Sequence, residues 1–392
     1  MAKKIHADWL TRPLVKQVLE VLGPDNMRFV GGAVRDTFLG RPVKDIDAAC
    51  RLHPQVTMEL LERSGIKVVP TGIAHGTVTA VLDDETIEIT TLRSDLETDG
   101  RHAKVAFTED WQQDASRRDF TFNALYLTSC GEIFDPFGGI ADLEAGRVRF
   151  IGVAEERIME DALRIMRFFR FHAWYGAGAL DDEGLAACQK HIALLESLSG
   201  ERIRDELLKI LMAPDPLPSL CAFVDIGGAD VLKLGLVNTA RLKTYITHEQ
   251  QRQLAPDPIL RLACWLSVKR GGVKALASDL RFSNKERSRL YSALEGVSVA
   301  PLQSPSQLRA LYYRFGRDAA NVAVMAGDEE PSDLCLDVLN NWQVPTLPVK
   351  GGDLVALGKP EGPEISRRLR ELEMLWVESD FSLSKDDLLA QI

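Results

Sequence analysis

The sequence predicts an α+β protein in which a head of mixed strands and helices is followed by helices alone. In the first 150 residues, short runs rich in β-branched residues are typical of strands: MRFV, KVVP, TVTAVL and TIEITTL. Between them, Pro54 to Arg63 has the apolar spacing of an amphipathic helix. After about Ile151 the helical spacing continues almost to the end of the chain.

Two proline-rich segments, 213–218 and 344–352, indicate joints within the helical part. A chain of 392 residues is also too long for one ordinary domain. We therefore predict four domains: a head over 1–150, a neck over 151–213, a body over 214–343 and a tail over 344–392.

The composition is that of a globular protein, with 45% hydrophobic and 27% charged residues. No run approaches the 18 to 20 apolar residues of a membrane helix, and the first residues lack the apolar core of a secretory signal. The six cysteines form no CxxC pair, which favours reduced thiols over zinc or disulfides. We expect a cytoplasmic protein with no membrane partner.

The charge is −10 overall, but it is unevenly distributed. Between Arg261 and Ala320, eleven lysines and arginines stand against four acids, a local charge of about +7. Such a basic surface on an acidic protein can bind RNA phosphates, and Lys285, Arg287 and Arg289 are candidates for these contacts. A solvated helical face is the alternative interpretation.

The first candidate site is a glycine turn. A strand is predicted to end at Val30, Gly31 and Gly32 turn the chain, and a helix begins near Ala33. Glycines allow a ligand to approach the backbone closely, and the free N–H groups of a helix start bind phosphate. Arg35 would lie on the first turn of that helix, within reach of phosphate oxygens. A tight strand–helix turn without a ligand is the alternative.

Asp45-Ile46-Asp47 follows soon after this turn. On a strand, the side chains at positions i and i+2 lie on one face, about 7 Å apart along the chain. Two carboxylates placed in this way can bind Mg²⁺ ions that activate an attacking hydroxyl and neutralise a leaving pyrophosphate. DxD alone is common in turns, but a glycine turn, an arginine and DxD within 17 residues are a much rarer combination.

Five motifs occur in a characteristic order: GGAVRD with KDID, RRDFTFNALY (117–126), DPFGGIADL (135–143), EDALRIMRFFRF (160–171) and ERIRDELLKIL (201–211). In this order the chain resembles the class II CCA tRNA nucleotidyltransferases of the polymerase-beta nucleotidyltransferase superfamily, which share their architecture with bacterial poly(A) polymerases. The resemblance implies catalysis by a polymerase-beta-type head, base recognition by the neck, and RNA binding by the body and tail.

The resemblance also implies roles for individual residues of the head. Asp45 and Asp47 would be the ligands of Mg²⁺. Gly32 and Arg35 would hold the phosphates of the nucleotide. Arg118 of the RRDFT motif would also contact the nucleotide, without a particular group being implied.

Three polar residues of the head have two interpretations each. Asp119 and Asn123 would orient neighbouring groups or the ribose, although Asp119 could instead cap a helix. Glu88 is a candidate third carboxylate, or else an acid that faces solvent from its strand.

The helix predicted over EDALRIMRFFRF carries Asp161, Arg164, Arg167 and Arg170 at steps of three residues. Cytosine and adenine both present an amine beside an unprotonated ring nitrogen, whereas uracil and guanine present a carbonyl beside an N–H. An Asp–Arg pair therefore accepts C and A and rejects U and G without a nucleic-acid template. The resemblance assigns this task to Asp161 and Arg164, with the later arginines assisting. The alternative is a surface salt bridge between Asp161 and Arg164.

The implied reaction is attack by the 3′ hydroxyl of tRNA on the α-phosphate of CTP or ATP, so that C, C and A are added with release of pyrophosphate. An A-adding enzyme, a CC-adding enzyme and a poly(A) polymerase remain alternatives. Residues 92–110 resemble the flexible loop that CC-adding relatives lack, and no basic run of the poly(A) polymerase type follows the third strand. An RNA-binding protein without activity would be expected to lose Asp45 or Asp47. The oligomeric state stays open.

Overall fold

The computed structural model describes residues 3–97, 104–267, 270–358 and 362–392. The chain forms two compact units. The first comprises Met1–Leu198 with Pro218–Val231, and the second comprises Ser199–Leu217 with Leu232–Ile392. The predicted α+β architecture is confirmed, because strands occur in the head and helices follow it. The division into four domains stays a prediction.

Within the described residues, the strands lie between Met27 and Phe134. Their bounds are β1 Met27–Val30, β2 Ile46–Cys50, β3 Lys67–Gly72, β4 Thr77–Leu82, β5 Glu85–Thr91, β6 Arg93–Glu97, β7 Lys104–Phe107, β8 Tyr126–Leu127 and β9 Ile133–Phe134.

Helices flank these strands in the first unit and make up the regular structure of the second. The first eight are α1 Pro13–Leu22, α2 Gly32–Phe38, α3 Pro54–Arg63, α4 Trp111–Ser116, α5 Gly139–Glu144, α6 Ala154–Glu160, α7 Leu163–Tyr175 and α8 Asp182–His191. The next four are α9 Gly200–Leu211, α10 Leu217–Asp225, α11 Gly228–Val231 and α12 Thr239–Gln251. The remaining helices are α13 Pro258–Trp265, α14 Arg270–Asp279, α15 Asn284–Val297, α16 Pro305–Phe315, α17 Arg317–Met325, α18 Asp333–Asn341, α19 Gly351–Ala356, α20 Pro363–Glu378 and α21 Lys385–Leu389.

The main sheet has the strand order β3-β4-β5-β2-β1-β8-β9 among the described residues. It is mixed, because β2 and β5 pair in parallel whereas the other neighbours are antiparallel. All four predicted strand runs lie in it, as β1, β3, β4 and β5, and the predicted helix over Pro54 to Arg63 is α3. The apolar face of α1 contributes buried Leu14, Val18 and Leu22 to the core beside it.

Strands β6 and β7 pair separately as an antiparallel hairpin. They fall within the segment 92–110 that the sequence predicts to be a flexible loop. Residues 98–103, between the two strands, lie outside the described residues. The flanks of the predicted loop are therefore regular strands.

Aromatic side chains join α7 to the head. Phe168 on α7 stacks on Phe150 with ring centroids 5.6 Å apart, and Phe171 meets the edge of Phe120 at 5.2 Å and of Phe122 at 5.5 Å. All five rings are buried. Their packing fixes α7, with its arginines, against the segment that follows Arg118.

The basic window of the second unit is partly structural. Arg261 is buried and pairs with Glu249, at 2.9 Å between Nε and Oε2. Arg289 pairs with Asp257 at 2.6 Å and with Asp318 at 2.9 Å. Lys285 and Arg287 are exposed. Two aspartates of its own unit thus engage the guanidinium of Arg289, and the contact of these three residues with RNA stays a prediction.

Six cysteines are free, and four of them, Cys50, Cys188, Cys264 and Cys335, are buried. This agrees with the expectation of reduced thiols. Among the described residues, no helix combines the length and the apolar character needed to cross a membrane.

Candidate active site

Three carboxylates of the head lie near one another at the strands β2 and β5. Asp47 pairs in register with Glu88 across the parallel strands, so that the two side chains lie on one face. Asp45 directly precedes β2, whose residues Ile46 and Ala48 are buried on the opposite face. Asp45, Asp47 and Glu88 are exposed, and none of them forms a hydrogen bond or ion pair with another described residue.

The electrostatics of this cluster centre on Asp47. Although its side chain is open to solvent, the protein packed around it raises its pKa, and the charges of Glu88 and Asp45 raise it further while Arg118 lowers it. The donors are oxygens alone, the ligands that Mg²⁺ prefers. Among the described residues, no group of three His, Cys, Asp or Glu side chains has the spacing of a complete metal site. The metal role of Asp45 and Asp47 stays a prediction.

The glycine turn follows β1, which pairs with β2 so that Phe29 lies opposite Ala48. Gly31 adopts φ 70° and ψ −123°, a backbone conformation that residues other than glycine rarely adopt. Gly32 then begins α2, close to the predicted helix start. A Cβ on Gly31 would lie 3.9 Å from Nη1 of Arg118 and from the carbonyl oxygen of Asn123. The turn therefore brings the backbone of Gly31 and the guanidinium of Arg118 together.

Arg35 is held inside the protein. Its Nη1 donates to Oδ1 of Asn123 at 2.8 Å and its Nε to Asp36 at 3.1 Å. The guanidinium also lies 4.2 Å from the centre of the Tyr175 ring. No local sequence pattern indicates these partners, and the predicted contact of Arg35 with phosphate stays a prediction.

Asn123 and Asp119 connect the head with α7. Oδ1 of Asp119 accepts from Nδ2 of Asn123 at 2.9 Å, and Oδ2 accepts from Nε of Arg167 at 2.7 Å. Burial alone would raise the pKa of Asp119, but the charge of Arg167 and the hydrogen bonds to Asn123 and Arg167 lower it to about 2. The short 3₁₀-helix that begins at Thr121 has no side-chain cap. Asp119 therefore orients its neighbours, and the capping alternative is wrong.

Arg118 is oriented by two residues that sequence reasoning missed. Its Nη2 donates to Oδ2 of Asp114 at 3.2 Å, and its Nε donates to the hydroxyl of Tyr126 at 3.1 Å. Asp114 lies on α4 and Arg118 follows the end of this helix. Their spacing of four residues is typical of an ion pair and could have indicated this contact. Tyr126 offered none, because its position depends on the pairing of β8 with β1.

Asp161 does not lie on the predicted helix, so that part of the prediction is wrong. Helix α6 ends at Glu160, Asp161 is extended with φ −151° and ψ 105°, and α7 begins at Leu163. Its Oδ1 accepts from the backbone N of Leu163 at 3.1 Å. An aspartate satisfies the free N–H groups of a helix start and so competes with helix continuation at this position.

The three arginines do lie on α7. Arg164 pairs with Glu160 at 2.5 Å, and its guanidinium also donates to the carbonyl oxygens of Arg157 at 2.7 Å and Arg117 at 3.2 Å. Its side chain is only 12% exposed. The guanidinium of Arg170 lies 4.0 Å from the centre of the Phe171 ring. Arg164 thus pairs with Glu160. The alternative of a salt bridge between Asp161 and Arg164 stays a prediction, as does the base-reading role.

Comparison with known proteins gives this arrangement a context. Residues 27–149 match the family described as the poly A polymerase head domain, and residues 179–233 match the family described as the probable RNA and SrmB-binding site of polymerase A.

Two named relatives and one solved structure extend the similarity along the chain. The mitochondrial CCA tRNA nucleotidyltransferase 1 of Mus musculus is 36% identical over 96% of this chain and 89% of its own length. The CCA-adding enzyme of Streptococcus uberis is 31% identical over 97% and 95%. The crystal structure of the Bacillus stearothermophilus CCA-adding enzyme in complex with CTP superposes with a TM-score of 0.74 at 25% identity, covering 94% of both chains.

Proposed function

We propose a mechanism for this site from the premise that the chain belongs to the family of CCA-adding tRNA nucleotidyltransferases. The protein adds C, C and A to the 3′ end of tRNA from CTP and ATP and releases pyrophosphate. Its substrates are therefore a nucleoside triphosphate and an RNA end, without a template strand.

The observation that carries the mechanism is the contrast of charge around Asp47. Asp47 and Glu88 share one face of the sheet, and the guanidinium of Arg118 acts on Asp47 with the opposite sign. The carboxylates on one side fit the cation that accompanies a triphosphate. The guanidinium and the glycine turn on the other side fit the triphosphate itself. In phosphoryl transfer the protein mainly positions the reactants and stabilises charge, and this arrangement can do both.

Asp45 and Asp47 would hold Mg²⁺, and Glu88 faces the same space as a third carboxylate. These residues would hold the ion, which would supply positive charge against the phosphates and lower the pKa of a hydroxyl next to it. Gly32 and Arg118 would contact the phosphate end of the nucleotide. Arg35 joins α2 to Asn123, and from there it would contact the phosphates together with Gly32.

Base selection is assigned to Asp161 and Arg164, at the break between α6 and α7. Glu160 and two backbone carbonyls fix the guanidinium of Arg164, so its remaining N–H directions are defined before a base arrives. A carboxylate that accepts from the exocyclic amine, beside a guanidinium that donates to the ring nitrogen, selects C and A. Arg167, held by Asp119, and Arg170 flank this pair on α7.

The decisive experiment offers the protein a tRNA that ends at its discriminator base. CTP alone should extend it by two nucleotides, and CTP with ATP by three, as resolved by gel mobility. Extension by A alone from the discriminator base, a stop after CC in the presence of ATP, or long A tails would each contradict the proposed CCA addition.

A further inference from the structure

A buried carboxylate outside the residues discussed so far as contacts of substrate or metal lies on α4. Asp114 is 1% exposed, and both of its oxygens accept hydrogen bonds. Oδ2 accepts from the hydroxyl of Tyr126 at 2.7 Å and from Nη2 of Arg118 at 3.2 Å. Oδ1 accepts from Nε of Arg117 at 2.8 Å and from the backbone N of Arg93, the first residue of β6, at 3.3 Å. One carboxylate thus joins four separate groups.

Tyr126 completes the support of Arg118. Its hydroxyl donates to Asp114 and accepts from Nε of Arg118 at 3.1 Å. Tyr126 is buried on β8, where it pairs with Val30, the residue before the glycine turn. The position of the hydroxyl is therefore set by the sheet that also carries the turn.

These contacts leave one part of the Arg118 guanidinium available. Nε and Nη2 are engaged, while Nη1 has no hydrogen-bond acceptor among the described residues and lies 3.9 Å from the point where a Cβ on Gly31 would stand. A planar guanidinium that is fixed at two nitrogens presents the third in one direction. Here that direction leads to the glycine turn beside the carboxylates.

We propose that Asp114, with the hydroxyl of Tyr126, is the positioning residue that aims Nη1 of Arg118 at the phosphate end of the bound nucleotide. This inference rests on the proposed function, in which Arg118 contacts the nucleotide. Without Asp114, the long side chain of Arg118 gains rotamer freedom that nucleotide binding must then remove. Asp114 itself touches no substrate.

The test is a double-mutant cycle of Asp114→Asn and Arg118→Ala, with kcat and KM measured for CTP on a tRNA that lacks its CCA end. Because Arg118 contacts the nucleotide before and during the reaction, Asp114→Asn should raise KM about tenfold or more and change kcat less. In the Arg118→Ala background, Asp114→Asn should cause no further loss, since the group that it positions is gone.

Asp142→Asn is the matched control. Asp142 is a buried aspartate of the same head that accepts from Thr121 Oγ1 at 2.7 Å and from Arg149 Nε at 2.9 Å. Its replacement should lower the midpoint of thermal unfolding and leave the KM for CTP at the wild-type value. A rise in KM equal to that of Asp114→Asn would show that any loss of a buried carboxylate in the head has this effect, and would overturn the proposal.

Tyr126→Phe covers the case in which Asp114→Asn does not fold. It removes one hydroxyl and keeps the ring, and it should raise KM about three- to tenfold. If Arg118→Ala raises KM while Asp114→Asn or, where that variant does not fold, Tyr126→Phe leaves it unchanged, the positioning role is wrong and the function stands. Wild-type kinetics of Arg118→Ala would instead remove Arg118 from the proposed function.

Discussion

The carboxylates of the head and the arginines of α7 are held in opposite ways. Asp45, Asp47 and Glu88 are exposed and have no hydrogen bond or ion pair among the described residues. Arg164 and Arg167 are engaged by Glu160 and Asp119 on surfaces that are largely covered. One region keeps its charges unpaired, and the other has paired them within the fold.

The difference indicates where each region obtains its stabilisation. Neighbouring carboxylates without partners repel one another, so the folded protein gains nothing from them until a cation or a substrate arrives. The paired arginines contribute to the folded state and give α7 a fixed geometry before substrate binds. Substitutions among the carboxylates should therefore lower activity without lowering stability, and substitutions in the pairs should lower stability as well.

The largest effect is expected from Asp45→Asn and Asp47→Asn. Loss of a metal ligand removes several kcal/mol of transition-state stabilisation, and the rate of nucleotide addition should fall about a thousandfold or more. The free energy of unfolding should stay the same or rise, because one repelling charge is gone. The measurements are single-turnover rates and chemical unfolding.

Asp84→Asn is the control for these variants, since Asp84 is also an exposed acid of the head, next to β5. It should keep both the rate and the stability of the wild-type protein. Substantial activity in both Asp45→Asn and Asp47→Asn would contradict the metal assignment.

Asp119→Asn should have the largest effect on stability. Removing the charge breaks the ion pair of Asp119 with Arg167 and weakens the bond to Asn123, and breaking a buried pair costs about 3 kcal/mol. Denaturant titration at neutral pH would measure this loss. An unfolding free energy within about 0.5 kcal/mol of wild type, as for an exposed substitution, would show that the pair contributes little.

The pH dependence of the same variant sharpens this prediction. The pKa of Asp119 is lowered to about 2, so its contribution is present above the unfolded value near 3.8 and is lost as the pH falls towards 2. The wild-type advantage over Asp119→Asn should therefore be constant above about pH 5 and shrink between about pH 4 and pH 2. An advantage that stays constant down to about pH 2 would contradict the depressed pKa.

Sequence reasoning located the backbone of the site better than its side-chain contacts. The glycine turn and helix α3 follow from local patterns of polarity and glycine, and the structure places them as predicted. The DxD motif lies only partly on its predicted strand, because Asp47 belongs to β2 whereas Asp45 precedes it. The partners of Arg35 and Arg289 are different, because Asn123 is 88 residues from Arg35 and Asp257 is 32 residues from Arg289. The spacing of residues in the sequence cannot show which arginine will form an ion pair or hydrogen bond with a distant residue in the folded protein.

Asp161→Ala tests the α7 region by selectivity instead of stability. The carboxylate accepts from the exocyclic amine of C or A and repels the carbonyl of U or G, and such a polar contact is worth about 1–3 kcal/mol. The incorporation of UTP and GTP should rise about ten- to hundredfold relative to CTP and ATP, measured as ratios of kcat/KM. A small loss of stability with unchanged ratios would give Asp161 a structural role at the start of α7 and contradict the base-reading role.

The smallest effect concerns tRNA binding by the second unit, where the same contrast between open and paired charges recurs on α15. Lys285 and Arg287 are exposed, whereas Arg289 is paired with Asp257 and Asp318. Replacing Lys285 and Arg287 by alanine should weaken tRNA binding by about 1 kcal/mol. The slope of the logarithm of the binding constant against the logarithm of the salt concentration should also become shallower, by about one for each phosphate that is no longer neutralised.

Arg289→Ala is the control. It should lower the unfolding free energy by about 1 kcal/mol, since its pairs are only half-buried, and leave the salt slope unchanged. Filter binding at several salt concentrations separates the two outcomes. A shallower slope for Arg289→Ala alone would mean that the paired arginine, and not the open charges, meets the RNA.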